Sequence, residues 1–489
     1  MLELSGPIAS NAWLSSRRAA LACAAAVGSI SAVLLLIATH TWGLGVTYDS
    51  VAYMQASHRL SVAIPQPRDQ GGQPLYWWGP VYPLVLKATG SSYSNARFVA
   101  AVLLLLGALV VGWIALRAFG PVACVVAASF YALSPIAFNA HLSLLAEPVF
   151  LLLSTAALGL LAEPRPRPFL AGAVTGLAVL TRYAGLPLIV VGLFAYRGRQ
   201  RLRFFGVSAA VYAAWILRNE LAAHQSTGRG LQWHPMSRRL IRDELRVAFH
   251  AIVTPGHLPS IDLPVIHAGL LVEILVGIAI VSALVRKRPA RLPRIVKLSL
   301  GYGLIYLLFL VVTVSLFDAS TPVDERLAAP IAPVVALTLA WLVEATPLLA
   351  VAIACLFGIG VVQQTRTTWH YGIDYSGQLW QPARLEGVRL PPGILYSNLP
   401  AAVAYYSGRS PRRIPQTRDP HTLLPNDEFG QQIGRLTRQV RTGTAGLVIL
   451  DSTKFLEVAE PEEGVRILLQ SLGSECRHPR QVVVVCARS

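Results

Sequence analysis

The stretch Phe169–Tyr196, "FLAGAVTGLAVLTRYAGLPLIVVGLFAY", decides how this chain is arranged, because it reads in two ways. It is either one long apolar helix with Arg182 buried at its middle, or two short helices with Arg182 at the turn between them. The basic residues arbitrate. With two helices, Arg17–Arg18, Arg117, Arg165 and Arg167, Arg197–Arg203 and Arg286–Lys297 all fall on one face, which the positive-inside rule makes cytoplasmic. With one helix, the later clusters move to the opposite face. The hairpin is the reading adopted.

Composition places this hairpin in a membrane. Of 489 residues, 54% are hydrophobic and only 14% charged, with a mean hydropathy of +0.52; a soluble domain carries about 25% charged residues. The net charge of +17 sits mostly in short clusters between apolar runs. It reports orientation rather than nucleic acid, and no nucleic-acid partner is expected. Uncharged runs at Ala19–Thr41, Phe98–Leu116, Ala118–Ala146, Leu298–Phe317 and Leu327–Val343 approach the ~20 residues that cross a bilayer. The first is longer than a signal-peptide core and is read as a span. Shorter runs at Pro148–Ala162, Phe204–Leu217, Leu263–Val285 and Pro347–Gln363 bring the expectation to roughly eleven transmembrane helices, with the N-terminus cytoplasmic. The fold class is thus a polytopic α-helical membrane protein.

Two domains are expected: a transmembrane domain over residues 1–363, with a first outer loop at 42–97, and a C-terminal extracytoplasmic domain over 364–489. In the second, the short apolar runs "GILYSN", "GLVILD" and "QVVVVCA" alternate with helical or turn-rich stretches, as in a small α/β domain. It has no phosphate-binding glycine motif. Cys476 and Cys486 both lie there, and outside the cytoplasm a disulfide between them is a fair hypothesis. In the loops, Trp77 and Trp78 are expected at the membrane interface, and Met236–Val253 reads as an amphipathic surface helix.

Four ionisable residues mark the outer ends of spans: Asp49 in "LGVTYDSVAY", Glu147 in "LLAEPVF", Arg182 in "VLTRYAG" and Arg326 in "DERLAAP"; Arg218–Asn219 lies at another exit. Taken singly, Asp49 is an ordinary solvated carboxylate and Arg326 a partner for Asp324 or Glu325. Together they fit a different pattern, since ionisable groups at membrane depth face a cavity and pair with one another. A carboxylate beside arginines suits transfer from a lipid phosphate: guanidinium binds phosphate oxygens in a fork, and the carboxylate takes a proton from an attacking hydroxyl. Glycoside hydrolysis needs a second catalytic carboxylate, whereas phosphate already leaves as an anion. His58 and His141 have no metal-ligand spacing, and Glu273 lacks an obvious partner.

The segments "YDSVAY", "GPVYPLVL", "LLAEPVFLLL", "GLAVLTRYAGLPLIVVGL", "WILRNEL", "DERLAAPIAPVVAL" and "ILYSNLPAAVAYYSGR", in this order, resemble the GT-C superfamily of polyprenyl-phosphate-sugar-dependent glycosyltransferases. That group includes bacterial relatives of protein O-mannosyltransferases and of the lipid A aminoarabinose transferase. The resemblance implies a catalytic base at Asp49, an acceptor-orienting or metal-holding role for Glu147, and lipid-phosphate binding by Arg182 and Arg326. Many relatives carry a paired acidic motif where Ser50 follows Asp49 here, which puts a metal at this loop in doubt. No cofactor is required by the sequence, and a divalent cation stays open.

The implied partners are a polyprenyl-phosphate-linked sugar donor, a cell-envelope acceptor and the bilayer, in a bacterial inner membrane. The rivals are a lipid-linked polysaccharide ligase or polymerase, and a transporter or flippase. The latter would favour charges at the membrane midplane and inverted repeats.

Overall fold

The computed structural model describes residues 16–59, 76–224, 226, 233, 292–317, 325–343, 347–418, 424–451 and 462–487. The expected span Leu263–Val285 with Glu273, the amphipathic helix Met236–Val253, and Asp324 lie outside these residues.

Helix α1 (Arg17–Ala38) leads through a turn to the short helices α2 (Tyr48–Arg59) and α3 (Val81–Ala88), and then to α4 (Tyr93–Ala118). The expected single span Ala118–Ala146 is broken into α5 (Pro121–Ala132) and α6 (Pro135–Leu142), bent by 49°. Pro135 is the cause. A proline has no N–H and pushes the preceding residue out of the helical region, and Ser134 is extended at φ −66°, ψ 121°.

Next come α7 (Glu147–Ala162), α8 (Pro168–Thr181), α9 (Leu186–Ala195) and α10 (Gly198–Ala223). The hairpin reading of Phe169–Tyr196 agrees with the packing. Arg182 is extended at φ −149°, ψ 137°, so α8 ends at Thr181. Gly172 and Gly176 of α8 lie against Phe204 and Val211 of α10 in parallel order. In α9 the order reverses: the rings of Tyr183, just before it, and Tyr212 are 6.2 Å apart, and those of Tyr196 and Phe204 are 5.6 Å apart. Gly185 is required at the turn, since a Cβ there would meet the Val179 nitrogen at 2.7 Å.

The bundle continues with α11 (Arg294–Leu316), the short α12 (Glu325–Ala328), α13 (Ala332–Val343) and α14 (Pro347–Tyr371). Among the described residues, four helices are long and apolar enough to cross a membrane, or five if the bent α5–α6 pair is one span. Among the shorter apolar helices, Glu147–Ala162 packs against Tyr93–Ala118 and Arg294–Leu316, and Pro168–Thr181 against Glu147–Ala162 and Gly198–Ala223.

The bundle has two chemically distinct ends. At one, Glu163 pairs with Arg117 at 3.3 Å and Arg167 at 3.4 Å, and Arg294 donates to the Ala195 carbonyl at 3.0 Å. The other carries the N-terminus of α7, the α8–α9 turn and α12.

Beyond α14 the chain forms a five-stranded sheet in the order β2 (Arg412–Arg413), β1 (Ile394–Ser397), β3 (Ala445–Leu450), β5 (Val483–Cys486), β4 (Cys476–Arg480). The β2–β1–β3 pairings are parallel and the β3–β5–β4 pairings antiparallel. Helices α15 (Pro400–Ser407), α16 (Phe429–Arg441) and α17 (Glu463–Ser471) cover it. Strand β3 is buried on both faces: Val448 and Leu450 join one core with Val403 and Val483, and Leu447 and Ile449 join another with Leu436 and Leu468. That is why "GLVILD" reads as a continuous apolar run. Cys476 and Cys486 face each other across β4 and β5 and are joined as a disulfide.

Candidate functional site

The site starts with the segment that delivers Asp49. Gly45 exchanges backbone hydrogen bonds with the chain after α6, donating to the Leu142 carbonyl and accepting from the Leu144 N–H, both at 2.9 Å. On its other side, the Tyr375 N–H donates to the Val46 carbonyl at 3.0 Å, and the Ser376 hydroxyl to the Leu44 carbonyl at 2.9 Å. The bundle and the C-terminal domain therefore grip residues 44–46 together. Helix α2 starts immediately after. The Thr47 N–H donates to the Ser50 hydroxyl at 2.9 Å, and the two hydroxyls lie 3.1 Å apart, a reciprocal cap of the orphan donors at a helix N-terminus. Ser50 is fully buried in this role. Its side chain fastens the helix start, and Asp49 projects from the first turn, where the helix dipole favours a negative charge.

The structure brings Asp49, Glu147, Arg182 and Arg326 into one cluster. Arg326 Nη1 lies 3.2 Å from Asp49 Oδ2, and Arg326 Nε lies 3.5 Å from Glu147 Oε1. Arg182 Nη1 pairs with the same Glu147 oxygen. The side chains of Asp49, Arg326 and Arg182 are 29%, 28% and 20% exposed, and that of Glu147 only 2%. Glu147 is thus the floor of the cluster, holding two arginines from beneath, while Asp49 stands at the mouth. The open side of the cluster exposes Asp49 and not Glu147.

Each member is held by its own element. Glu147 opens α7 with Pro148 behind it, again at the positive end of a helix. Arg182 occupies the extended turn residue of the α8–α9 hairpin. Arg326 sits on α12, whose Leu327 carbonyl accepts a hydrogen bond from the buried Tyr306 hydroxyl at 2.7 Å. The segment before α3 closes against the hairpin at Gly79, where a Cβ would lie 1.8 Å from the Leu180 carbonyl oxygen. Arg218 is held elsewhere, its guanidinium 4.8 Å from the Trp215 ring centre and 2.9 Å from Asn219 Oδ1. His141 is buried, its Nδ1 2.7 Å from the Ala137 carbonyl.

Sequence reasoning passed over the aromatic wall. Tyr53, four residues after Asp49, shares its helix face; its ring packs edge-on against Tyr82 at 5.1 Å and Trp78 at 6.0 Å. Burial raises the Tyr53 phenol above its ordinary range. Asp49 adds to this, while Arg182 and Arg326 oppose it, so the hydroxyl stays protonated in the field of all three charges. Trp78 packs against Tyr48 and Tyr53 over α2. The signal was available in the spacing of "YDSVAY", which puts Tyr48, Asp49 and Tyr53 within one turn and a half.

Among the described residues no three His, Cys, Asp or Glu side chains gather, and the Arg326 guanidinium lies in contact with both Asp49 and Glu147.

No family model matches the chain, and no curated protein matches it by sequence. Solved structures do. ArnT from Cupriavidus metallidurans aligns over 94% of this chain and 97% of its own, at 13% identity with a TM-score of 0.60 in the apo state. Bound to undecaprenyl phosphate, it aligns with a TM-score of 0.57 at 12% identity. The Archaeoglobus fulgidus oligosaccharyltransferase, in complex with Zn and sulfate, aligns over 88% of this chain and 68% of its own, with a TM-score of 0.51 at 14% identity. Both are GT-C proteins, and matches covering 88–94% of this chain mean that it has the GT-C fold.

Proposed function

We propose that the protein is a membrane glycosyltransferase that moves a monosaccharide from a polyprenyl-phosphate donor to a hydroxyl of a cell-envelope glycan, lipid or protein. One observation carries the reading: an accessible carboxylate, Asp49, lies 3.2 Å from an arginine that a buried carboxylate, Glu147, holds together with a second arginine. The binding of undecaprenyl phosphate by the structurally similar ArnT supports a donor of this class.

In the proposed reaction, the donor phosphate enters between Arg182 and Arg326 and competes with Asp49 for the Arg326 fork. Asp49, released from that contact, accepts the proton of the acceptor hydroxyl. The hydroxyl oxygen forms a bond to the anomeric carbon from the face opposite the phosphate, and the bond from that carbon to the phosphate oxygen breaks with its electron pair on the phosphate. The configuration inverts, and the two guanidiniums stabilise the polyprenyl phosphate as it leaves. Tyr53 is placed to donate to an oxygen within the same pocket.

The arginine-rich end, with Arg117, Arg165, Arg167 and Arg294, reads as cytoplasmic by the positive-inside rule. The reacting cluster and the C-terminal domain, residues 364–489, then lie outside, as expected for roughly eleven spans in a bacterial inner membrane. The placement of all four charged residues at one end, with none of them at the bundle's middle, favours this reading over a transporter. A polysaccharide ligase would use a lipid diphosphate donor. Purified protein in lipid, offered polyprenyl-monophosphate monosaccharides and polyprenyl-diphosphate oligosaccharides with an envelope extract, should release polyprenyl phosphate from the former. Release only from the diphosphate donors would favour the ligase.

A further inference from the structure

A second recess lies at the arginine-rich end, far from Asp49 and unused by the proposed reaction. It is an open groove of about 440 Å³ between the C-terminal turns of α4, the end of α7 and the start of α11. Its floor is apolar, formed by Val110, Ile114, Ala156 and Leu160, with the half-exposed Trp113 along one wall. Its rim is charged. Arg117 and Arg294 come from different helices, and among the described lining residues Glu163 is the one carboxylate.

That rim carries excess positive charge. Glu163 is shared by Arg117 at 3.3 Å and Arg167 at 3.4 Å, so one negative charge faces three guanidiniums once Arg294 is included. Arg294 commits Nη2 to the Ala195 carbonyl. Arg117 lies 5.8 Å from the ring centre of Trp113, and an indole beside an arginine at a span's end is how side chains sit at headgroup depth. An apolar floor, an aromatic wall at the interface and a cationic rim complement one kind of molecule.

We propose that this groove binds an anionic phospholipid of the leaflet on the arginine-rich side. Its phosphate sits between Arg117 and Arg294, and the start of its acyl chains lies on Ile114, Ala156 and Leu160. A zwitterionic lipid fits less well, because its ammonium meets the cationic rim. Basic recesses between spans and facing anionic headgroups are a recurrent lipid-recognition device. The assignment is independent of the glycosyl-transfer reading.

The test is thermal unfolding and native mass spectrometry of the full chain in detergent, with dihexanoyl-phosphatidylglycerol, dihexanoyl-phosphatidylcholine or sodium phosphate added. Phosphatidylglycerol should raise the melting temperature and stay bound, phosphatidylcholine should do so far more weakly, and phosphate alone should do neither. Arg117→Gln should weaken phosphatidylglycerol binding about fivefold, and the pair Arg117→Gln/Arg294→Gln by about the square of that. Ala156→Trp, which fills the floor and keeps the charges, should abolish binding and guards against a folding defect in the arginine variants. Equal protection by both lipids, equal protection by free phosphate, or undiminished preference in the double variant would overturn the proposal.

Discussion

Arg326 donates to Asp49 across 277 positions of sequence, Nη1 to Oδ2 at 3.2 Å. The contact joins α2, which follows the first apolar helix, to α12, a short helix ahead of a late apolar helix. In the proposed reaction it is exchanged for a contact with the donor phosphate. Arg326→Gln should then cost about 10²–10³-fold in kcat/KM, the usual loss when a positioned donor to a developing anion is removed. Steady-state kinetics across donor concentrations check this. Arg326→Lys, which keeps the charge and loses the fork, should recover only part.

Glu147 behaves differently, because it is buried and touches only the arginines' side of the cluster. Glu147→Gln removes the counter-charge of two guanidiniums at once. Breaking a buried pair costs about 3–5 kcal/mol, and partial exposure of Arg182 and Arg326 lowers that to about 2–3 kcal/mol. Chemical or thermal unfolding in detergent should show this loss together with weaker donor binding. A variant of native stability with an altered acceptor preference would return Glu147 to the acceptor-orienting role.

Gly79 holds the segment before α3 against the hairpin. With a Cβ placed 1.8 Å from the Leu180 carbonyl oxygen, Gly79→Ala must displace backbone, and overpacking of this kind costs about 1–3 kcal/mol. Because Arg182 follows two residues after Leu180, donor affinity should fall as well. Gly43→Ala, a site with nothing within 4 Å of its Cβ but a left-handed φ of 76°, should cost stability without the same loss of donor binding.

The disulfide between Cys476 and Cys486 closes a sequence separation of 10 between two sheet strands. Its reduction should lower the stability of the C-terminal domain by about 2–3 kcal/mol. Differential scanning calorimetry with and without reductant reads the shift, and free thiols at both positions in untreated protein would contradict it.

The arrangement of the bundle was legible where charge and hydropathy agree. The basic clusters forced the chain to turn at Arg182, and the turn is there. The break at Ser134–Pro135 was missed inside an uncharged run, although Pro135 carried the signal, because apolar length alone does not say whether a helix is continuous. The four charged residues were each visible as an ionisable group at the end of a span. Their division of labour was not. Which carboxylate is floor and which is mouth depends on burial, 2% against 29%, and that follows from how α2, α7 and α12 meet rather than from any local pattern. Tyr53 was readable from its spacing to Asp49, but Tyr306 and the grip of Tyr375 and Ser376 on residues 44–46 join positions hundreds of residues apart or on separate elements.

The most direct test of the account compares the native protein with Asp49→Asn, both purified in lipid, for release of polyprenyl phosphate from polyprenyl-monophosphate sugars in the presence of envelope acceptor. The substitution keeps the shape at the mouth and the contact to Arg326 while removing the base. The account predicts turnover with at least one donor in the native protein and a loss of about 10²–10⁴-fold in the variant with donor binding retained. Undiminished turnover in Asp49→Asn would contradict it.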